Sequence, residues 1–104
     1  MKLNNGVYEV DTNNASLIGS TDMMKIHDNY SCEIERRYHF YKSTKTGKYF
    51  RVMEYKNYIP AGIFKLKVGE SQYSLCNVYE SMAEAAQNMR RYGAPVPSDL
   101  IETI

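Results

Sequence analysis

Hydrophobic and polar positions alternate with a period of two through the middle of the chain. Cys32, Ile34, Arg36, Tyr38 and Phe40 fall on one side, and Glu33, Glu35, Arg37, His39 and Tyr41 on the other. That is the repeat of a strand, whose successive side chains face opposite ways. Residues 43–48 follow, where Gly47 among small polar residues can supply the positive φ of a hairpin connection. Phe50 and Val52 then oppose Tyr49, Arg51, Met53 and Tyr55. The pattern predicts one long antiparallel hairpin over residues 31–57.

The flanks are less regular. Residues 7–10 read as a short strand ended by Asp11-Thr12-Asn13-Asn14, side chains that favour turns by bonding the local backbone. Leu17-Ile18 resumes an apolar run, so residues 7–20 read as a hairpin and residues 21–29, which keep neither period, as a loop. After the long hairpin, Pro60, Ala61 and Gly62 read as an interruption. Phe64, Leu66 and Val68 then point inward and Lys65 and Lys67 outward, Gly69-Glu70-Ser71 reads as a tight turn, and residues 73–78 form the last strand.

The period then becomes helical. Met82, Ala85, Ala86 and Met89 make one apolar stripe, Ser81-Met82-Ala83-Glu84 fits a capping box, and Arg90 and Arg91 suit the negative C-terminal end. Gly93, Pro95 and Pro97 stop the helix, and residues 98–104 have room for one further helical turn. Strands followed by a single helix predict a small α+β domain over residues 1–104: an antiparallel sheet of about 5–6 strands with the central hairpin 31–57, covered on one face by one C-terminal helix over 82–92. Phe40, Phe50, Phe64, Leu66, Leu75, Met82, Ala86 and Met89 should form one core between sheet and helix.

Composition narrows the function classes. The 104 residues carry a formal net charge of +1, with 43% hydrophobic and 24% charged side chains, values ordinary for a globular protein. No run approaches the ~20 apolar residues of a membrane span, and the polar start MKLNNGVYEVDTNN lacks the apolar core of a signal peptide, so a cytoplasmic location is expected. Cys32 and Cys76 are too few for a disulfide framework and read as buried thiols. No metal or cofactor is expected, because His27, His39 and the two cysteines show no ligand spacing and no glycine forms a phosphate loop.

The near-neutral total hides strong segregation. Residues 1–35 carry two cations against six acids, residues 36–67 nine cations against the single acid Glu54, and residues 68–104 two cations against five acids. Tyr38, Tyr41, Tyr49, Tyr55 and Tyr58 interleave with the central cations among ten tyrosines in all. Cations neutralise phosphates and rings stack on bases, while tyrosine and arginine also supply most protein-interface hot spots. A partner-binding face of Arg36, Arg37, Tyr41, Lys42, Lys45, Lys48, Tyr49, Arg51, Tyr55 and Lys56 is therefore expected; the plainer reading is a solvated sheet with tyrosines packed beneath it. No catalytic residue is assigned. The least weak enzymatic set is Glu33, Glu35, Arg37, His39 and Tyr41 on one strand face, the geometry of acid–base chemistry in small metal-free ribonucleases. Salt pairing with Arg51 and Lys65 on neighbouring strands explains that face more simply.

Val7-Tyr8-Glu9-Val10-Asp11-Thr12 with Ser16-Leu17-Ile18-Gly19, then Phe40-Tyr41-Lys42-Ser43-Thr44-Lys45-Thr46-Gly47-Lys48-Tyr49-Phe50, resembles a pattern in small proteins of Gram-positive phages and mobile elements. These begin Y-D-T-x-T-A-x-L-I-G, where this chain has Asn13-Asn14 in the middle, and continue L-Y-K-T-K-x-G-x-Y-F before a closing acidic helix. Their genes sit among anti-defence genes, including those of anti-CRISPR proteins. The resemblance implies a non-enzymatic, stoichiometric inhibitor of a host nucleic-acid-handling complex, a Cas effector being the favoured target, acting in the bacterial cytoplasm. Two mechanisms fit the charge map: acidic surface imitating phosphates, or, ranked above it, the basic hairpin gripping guide RNA or an acidic protein surface. The alternatives are a free-standing basic nucleic-acid-binding module and, third, a small metal-free ribonuclease using Glu35, His39 and Arg37.

Overall fold

The computed structural model describes residues 1–25, 33–63 and 65–101, with the backbone alone at Glu33, Ile34, Pro60 and Leu66. Eight strands and one helix follow in order: β1 (Lys2–Asn4), β2 (Glu9–Asp11), β3 (Ala15–Ser20), β4 (Met24–Lys25), β5 (Glu33–Ser43), β6 (Tyr49–Gly62), β7 (Lys65–Val68), β8 (Gln72–Tyr79) and α1 (Met82–Tyr92). β1 and β2 pair as a separate two-stranded ribbon, and the other six strands make one antiparallel sheet. The expected α+β class, the central hairpin and the C-terminal helix are all present.

Register shows that the six strands fill four positions across the sheet. β3 and β4 lie end to end along β5, and Thr21 carries the ladder between them: its N–H donates to the Tyr38 carbonyl and its Oγ1 accepts the Tyr38 N–H, both at 2.9 Å. β7 and β8 likewise lie end to end along β6. Gly69-Glu70-Ser71 is thus a bulge inside one continuous edge, not the expected tight turn: Val68 pairs with Tyr58, the Gly69 N–H donates to the Asn57 carbonyl at 2.8 Å, and Gln72 pairs with Tyr55. Pro60 does not interrupt either. It lies within β6 beyond the last pairing described for β5, at Asn57, where no N–H is needed on that side.

The N-terminal hairpin also differs from expectation. β2 pairs back to β1, whereas β3 joins β5, so residues 7–20 contribute to two sheets instead of one hairpin. Met24–Lys25 forms a short strand within the expected loop, and residues 26–29 lie outside the described residues, as do Cys32 and Phe64.

Two cores replace the single expected one. Helix-side positions Tyr38, Phe40, Tyr49 and Tyr79 bury against Ala85, Ala86, Met89, Ala94 and Leu100, with Met82 partly buried at the margin. On the opposite face Phe50, Val52 and Leu75 form their own cluster beneath Leu3, Val10 and Ala15. Phe50 and Leu75 therefore never meet the helix. Alternation separates Phe40 from Phe50 once the pairing is known, because Phe50 lies opposite Tyr41.

The helix is fixed at both ends. The Ser81 Oγ accepts the Glu84 N–H at 3.1 Å, and the Glu84 carboxylate accepts the Glu80 N–H at 3.2 Å. Gly93 takes the left-handed conformation at φ 83°, and the Ala94 N–H reaches the Met89 carbonyl at 2.8 Å, closing a Schellman cap. Beneath it, a Cβ on Gly19 would lie 2.5 Å from the Met89 terminal methyl and 3.1 Å from the Pro95 carbonyl oxygen, so a side chain there would force Met89 and the Pro95 backbone to shift.

Candidate functional site

Glu54, the one acid among the nine central cations, is the centre of a polar cluster on the face away from the helix. Alternation aims it to the same side as Arg37, directly across the ladder. Arg37 Nε donates to Glu54 Oε1 at 2.8 Å, His39 Nε2 lies 2.7 Å from the same oxygen, and Ser71 Oγ donates to Oε2 at 2.7 Å. The bulge at 69–71 is what brings Ser71 within reach. Glu54 is 4% exposed. Burial alone would raise its pKa, but the bonds from Arg37, Ser71 and His39 outweigh burial and hold it at about 2. The same carboxylate pushes the Arg37 pKa further up.

An ionised Glu54 only accepts, so the His39 Nε2 must carry a proton toward it. The other ring nitrogen, Nδ1, stands 2.7 Å from Ser20 Oγ on β3. Ser20, His39, Glu54 and Arg37 thus form one chain of polar contacts across three strands. It has the connectivity of a nucleophile–base–carboxylate relay. Glu35 is directed elsewhere, to Lys56 at 3.8 Å, so the expected acid–base set of Glu35, Arg37 and His39 is divided, with Arg37 and His39 on Glu54 and Glu35 on Lys56. What the cluster does visibly is tie β3, β5, β6 and the bulge together.

On the helix side, Arg51 is buried at 8% exposure between two rings, 3.9 Å from the Tyr92 centroid and 4.8 Å from that of Tyr38. Its Nη2 donates to Asn77 Oδ1 at 3.0 Å, while among the described residues Nε and Nη1 have no hydrogen-bond partner, and neither does the nearby buried Tyr79 hydroxyl. Ring faces stabilise a desolvated cation by about 2 kcal/mol or more. Burial pushes the Tyr79 pKa up.

The expected partner-binding residues are dispersed by this arrangement. Tyr49 and Arg51 lie in the helix-side core, and Tyr41 stacks on Phe50 with ring centroids 5.1 Å apart. Arg37 and Lys56 face acids on their own sheet, Lys48 lies 3.4 Å from Glu80, and Arg36 and Tyr55 are half-buried on the helix side. Lys42 covers the Tyr49 ring at 5.7 Å, and Lys45 is exposed in the turn. The turn borders a cleft of about 330 Å³, where Lys45 and Lys48 face Tyr8, Glu9 and Asp11 of the β1–β2 ribbon. Asp11 is held below the ordinary carboxylate range by the Asn13 N–H and the N-terminal amine.

A second exposed cationic region lies at the other end of β6. Tyr58, Ile59, Ile63 and Val68 are exposed on the hairpin where β6 and β7 run on past the described part of β5, together with Lys65 and Lys67. Val68 was expected inward and is 54% exposed, because nothing described here covers the arm. A rise of about 3.3 Å per residue puts the two ends of β6 about 43 Å apart, consistent with a longest molecular extent of 59 Å. The sequence carried a signal for Glu54, in its isolation among cations. For Ser20, Ser71 and the bare arm it carried none, since each depends on register.

Among the described residues no three His, Cys, Asp or Glu side chains gather as a metal site, and no helix is long and apolar enough to cross a membrane. No family model, curated protein or solved structure matches the chain.

Proposed function

We propose that the chain is a non-enzymatic binding protein that contacts its partner through the β6–β7 arm. The observation that carries this reading is the arm itself: four large apolar side chains are exposed where β6 and β7 run on past the described part of β5. Clustered exposed apolar groups mark interaction sites. Of the other central cations, Arg37 and Lys56 face acids on the sheet and Arg51 is buried in the helix-side core. The resemblance to phage and mobile-element proteins supplies the partner class, a host defence nucleic-acid-handling complex such as a Cas effector, which the protein inhibits stoichiometrically.

The test is titration. The purified chain is added to RNA-guided nucleases of Gram-positive hosts, and cleavage of their targets is followed. Cleavage by at least one should stop near one protein per nuclease, and Ile63→Asp with Val68→Asp should relieve the block while leaving the melting temperature unchanged. Inhibition at far less than one equivalent, or inhibition indifferent to the arm but lost on Lys42→Glu with Lys45→Glu, overturns the reading.

A further inference from the structure

We propose that the cleft between the β5–β6 turn and the β1–β2 ribbon binds a short apolar peptide with both termini free. Glu9 meets its ammonium, Lys45 meets its carboxylate, and its side chains lie over Phe50, Val10 and Val78. The cleft is at the opposite end of β6 from the β6–β7 arm, so the inference is independent of what the arm contacts.

The walls of the cleft are held in place. They are joined where the Thr44 N–H and Oγ1 both donate to the Asn14 carbonyl, at 3.0 and 2.8 Å. The turn is fastened within itself: the Ser43 N–H donates to the Lys48 carbonyl at 2.8 Å, and the Gly47 N–H to the Ser43 carbonyl at 2.9 Å. On the other wall, Asn5 Oδ1 accepts the N–H groups of Val7 and Tyr8 at 3.0 and 2.8 Å. These backbone donors are spent, so recognition falls to side chains. A volume of about 330 Å³ is at the small end of ligand clefts, which suits a dipeptide better than a larger molecule.

Charge selects the ligand class. Lys45 and Lys48 stand on one wall, Glu9 and Asp11 on the other. Lys48 is committed to Glu80 at 3.4 Å. Asp11 accepts the Asn13 N–H at 3.0 Å and the Met1 amine at 3.3 Å. Among the described residues Lys45 and Glu9 have no ion-pair partner, which leaves one charge of each sign. A nucleotide or other polyanion would set its surplus charge against Glu9 and Asp11, and a polyamine would set its own against the lysines. A ligand with one charge of each sign opposes neither wall. Between the walls the floor is apolar, with Phe50 2% exposed and Val10 and Val78 half-buried. The two charges must therefore sit at opposite ends of an apolar body. The termini of a short peptide do so, whereas a free α-amino acid carries both charges on one carbon.

The full chain is titrated with leucyl-leucine, its N-acetyl form, its C-terminal amide, free leucine and adenosine monophosphate, and followed by amide NMR. The free dipeptide should shift the amides of residues 8–11 and 43–48 and leave those of residues 58–68 in place. Its ~17 non-hydrogen atoms set a dissociation constant on the order of 0.1 mM. Blocking either terminus should weaken binding about tenfold or more, the worth of one charge-assisted hydrogen bond. Lys45→Glu alone and Glu9→Lys alone should each do the same. The two together should restore binding, because the peptide can then lie in the reverse direction. Ile63→Asp with Val68→Asp should change nothing. Every variant must melt as the parent does. Blocked peptides, leucine or adenosine monophosphate binding as well as the free dipeptide would overturn the proposal. So would shifts outside the cleft, no shift at ~10 mM dipeptide, or a charge-swapped pair that binds no better than either single variant.

Discussion

The two halves of β6 share one backbone and one alternating pattern, yet live in different surroundings. From Tyr49 to Asn57 the strand is paired on both edges and packed on both faces, with Arg51 and Tyr49 under the helix and Phe50 and Val52 under the β1–β2 ribbon. From Tyr58 to Gly62 it keeps one described partner, β7, and exposes Tyr58 and Ile59. Charge follows the same division. In the packed half an isolated acid, Glu54, collects three hydrogen bonds, whereas the arm carries its lysines exposed. Burial therefore decides whether a cation stabilises the fold or remains available to a partner, and alternation alone does not reveal which.

The comparison breaks most easily in the packed half. Phe40 is 1% exposed within the helix-side core, and Phe40→Ala should cost about 3–5 kcal/mol in denaturant unfolding. A loss below about 1 kcal/mol would mean that helix and sheet are not packed as described.

Glu54 gives the next largest effect. Its pKa falls from 4.5 to about 2 on folding, so the folded state binds the proton less tightly than the unfolded state. The resulting stabilisation is complete above about pH 4.5 and is lost as pH falls toward 2. Glu54→Gln should cost about 3 kcal/mol at pH 7, since each tenfold weaker hold on the proton is worth about 1.4 kcal/mol. The gap between variant and parent should close in melts carried down to pH 2. A gap that persists unchanged at acid pH would assign the loss to packing, not charge.

Gly19→Ala sharpens the account of helix docking. The added methyl meets the end of Met89, which is fully buried, and the Pro95 carbonyl. Overpacking of this kind costs about 1–3 kcal/mol. Shortening the obstruction with Met89→Leu in the same chain should recover part of the loss, and non-additivity in that double-mutant cycle is the measurement.

Much of this architecture is legible in the residues alone, for identifiable reasons. The 33–57 hairpin keeps a strict period of two, and α1 has its stripe, its Ser81 cap and its Gly93 stop, so each element is encoded locally. The rest depends on pairing. Bulges at Cys76 and near Ile18 shift the register, placing Leu75 and Val78 on one face although they are three residues apart. Gly69-Glu70-Ser71 has turn composition but serves as a bulge, because Asn57 accepts its first N–H and Glu54 binds its serine. Of the expected contact residues, Tyr49 and Arg51 look like surface chemistry in sequence. Only the helix above them makes them core. The exposed Tyr58, Ile59 and Val68 were hidden for the converse reason: apolar alternation implies burial, and no described element lies over them.

The smallest expected effect is the most informative about the arm. Ile63→Ser and Val68→Thr remove apolar surface from a place where the folded chain buries little of it, so each should change unfolding free energy by no more than about 0.5 kcal/mol. Hydrogen exchange refines the contrast within a single strand. Amides of β6 between Phe50 and Tyr55 lie between β5 and β8 and should open only with global unfolding, whereas Tyr58 and Ile59 have β7 as their one described partner strand and should exchange through local opening. Protection should therefore drop by orders of magnitude across Lys56 and Asn57. If Tyr58 and Ile59 are protected as strongly as Val52, or if Ile63→Ser destabilises the whole chain, the arm is part of the cooperative fold and its apolar side chains are held by packing, not displayed for a partner.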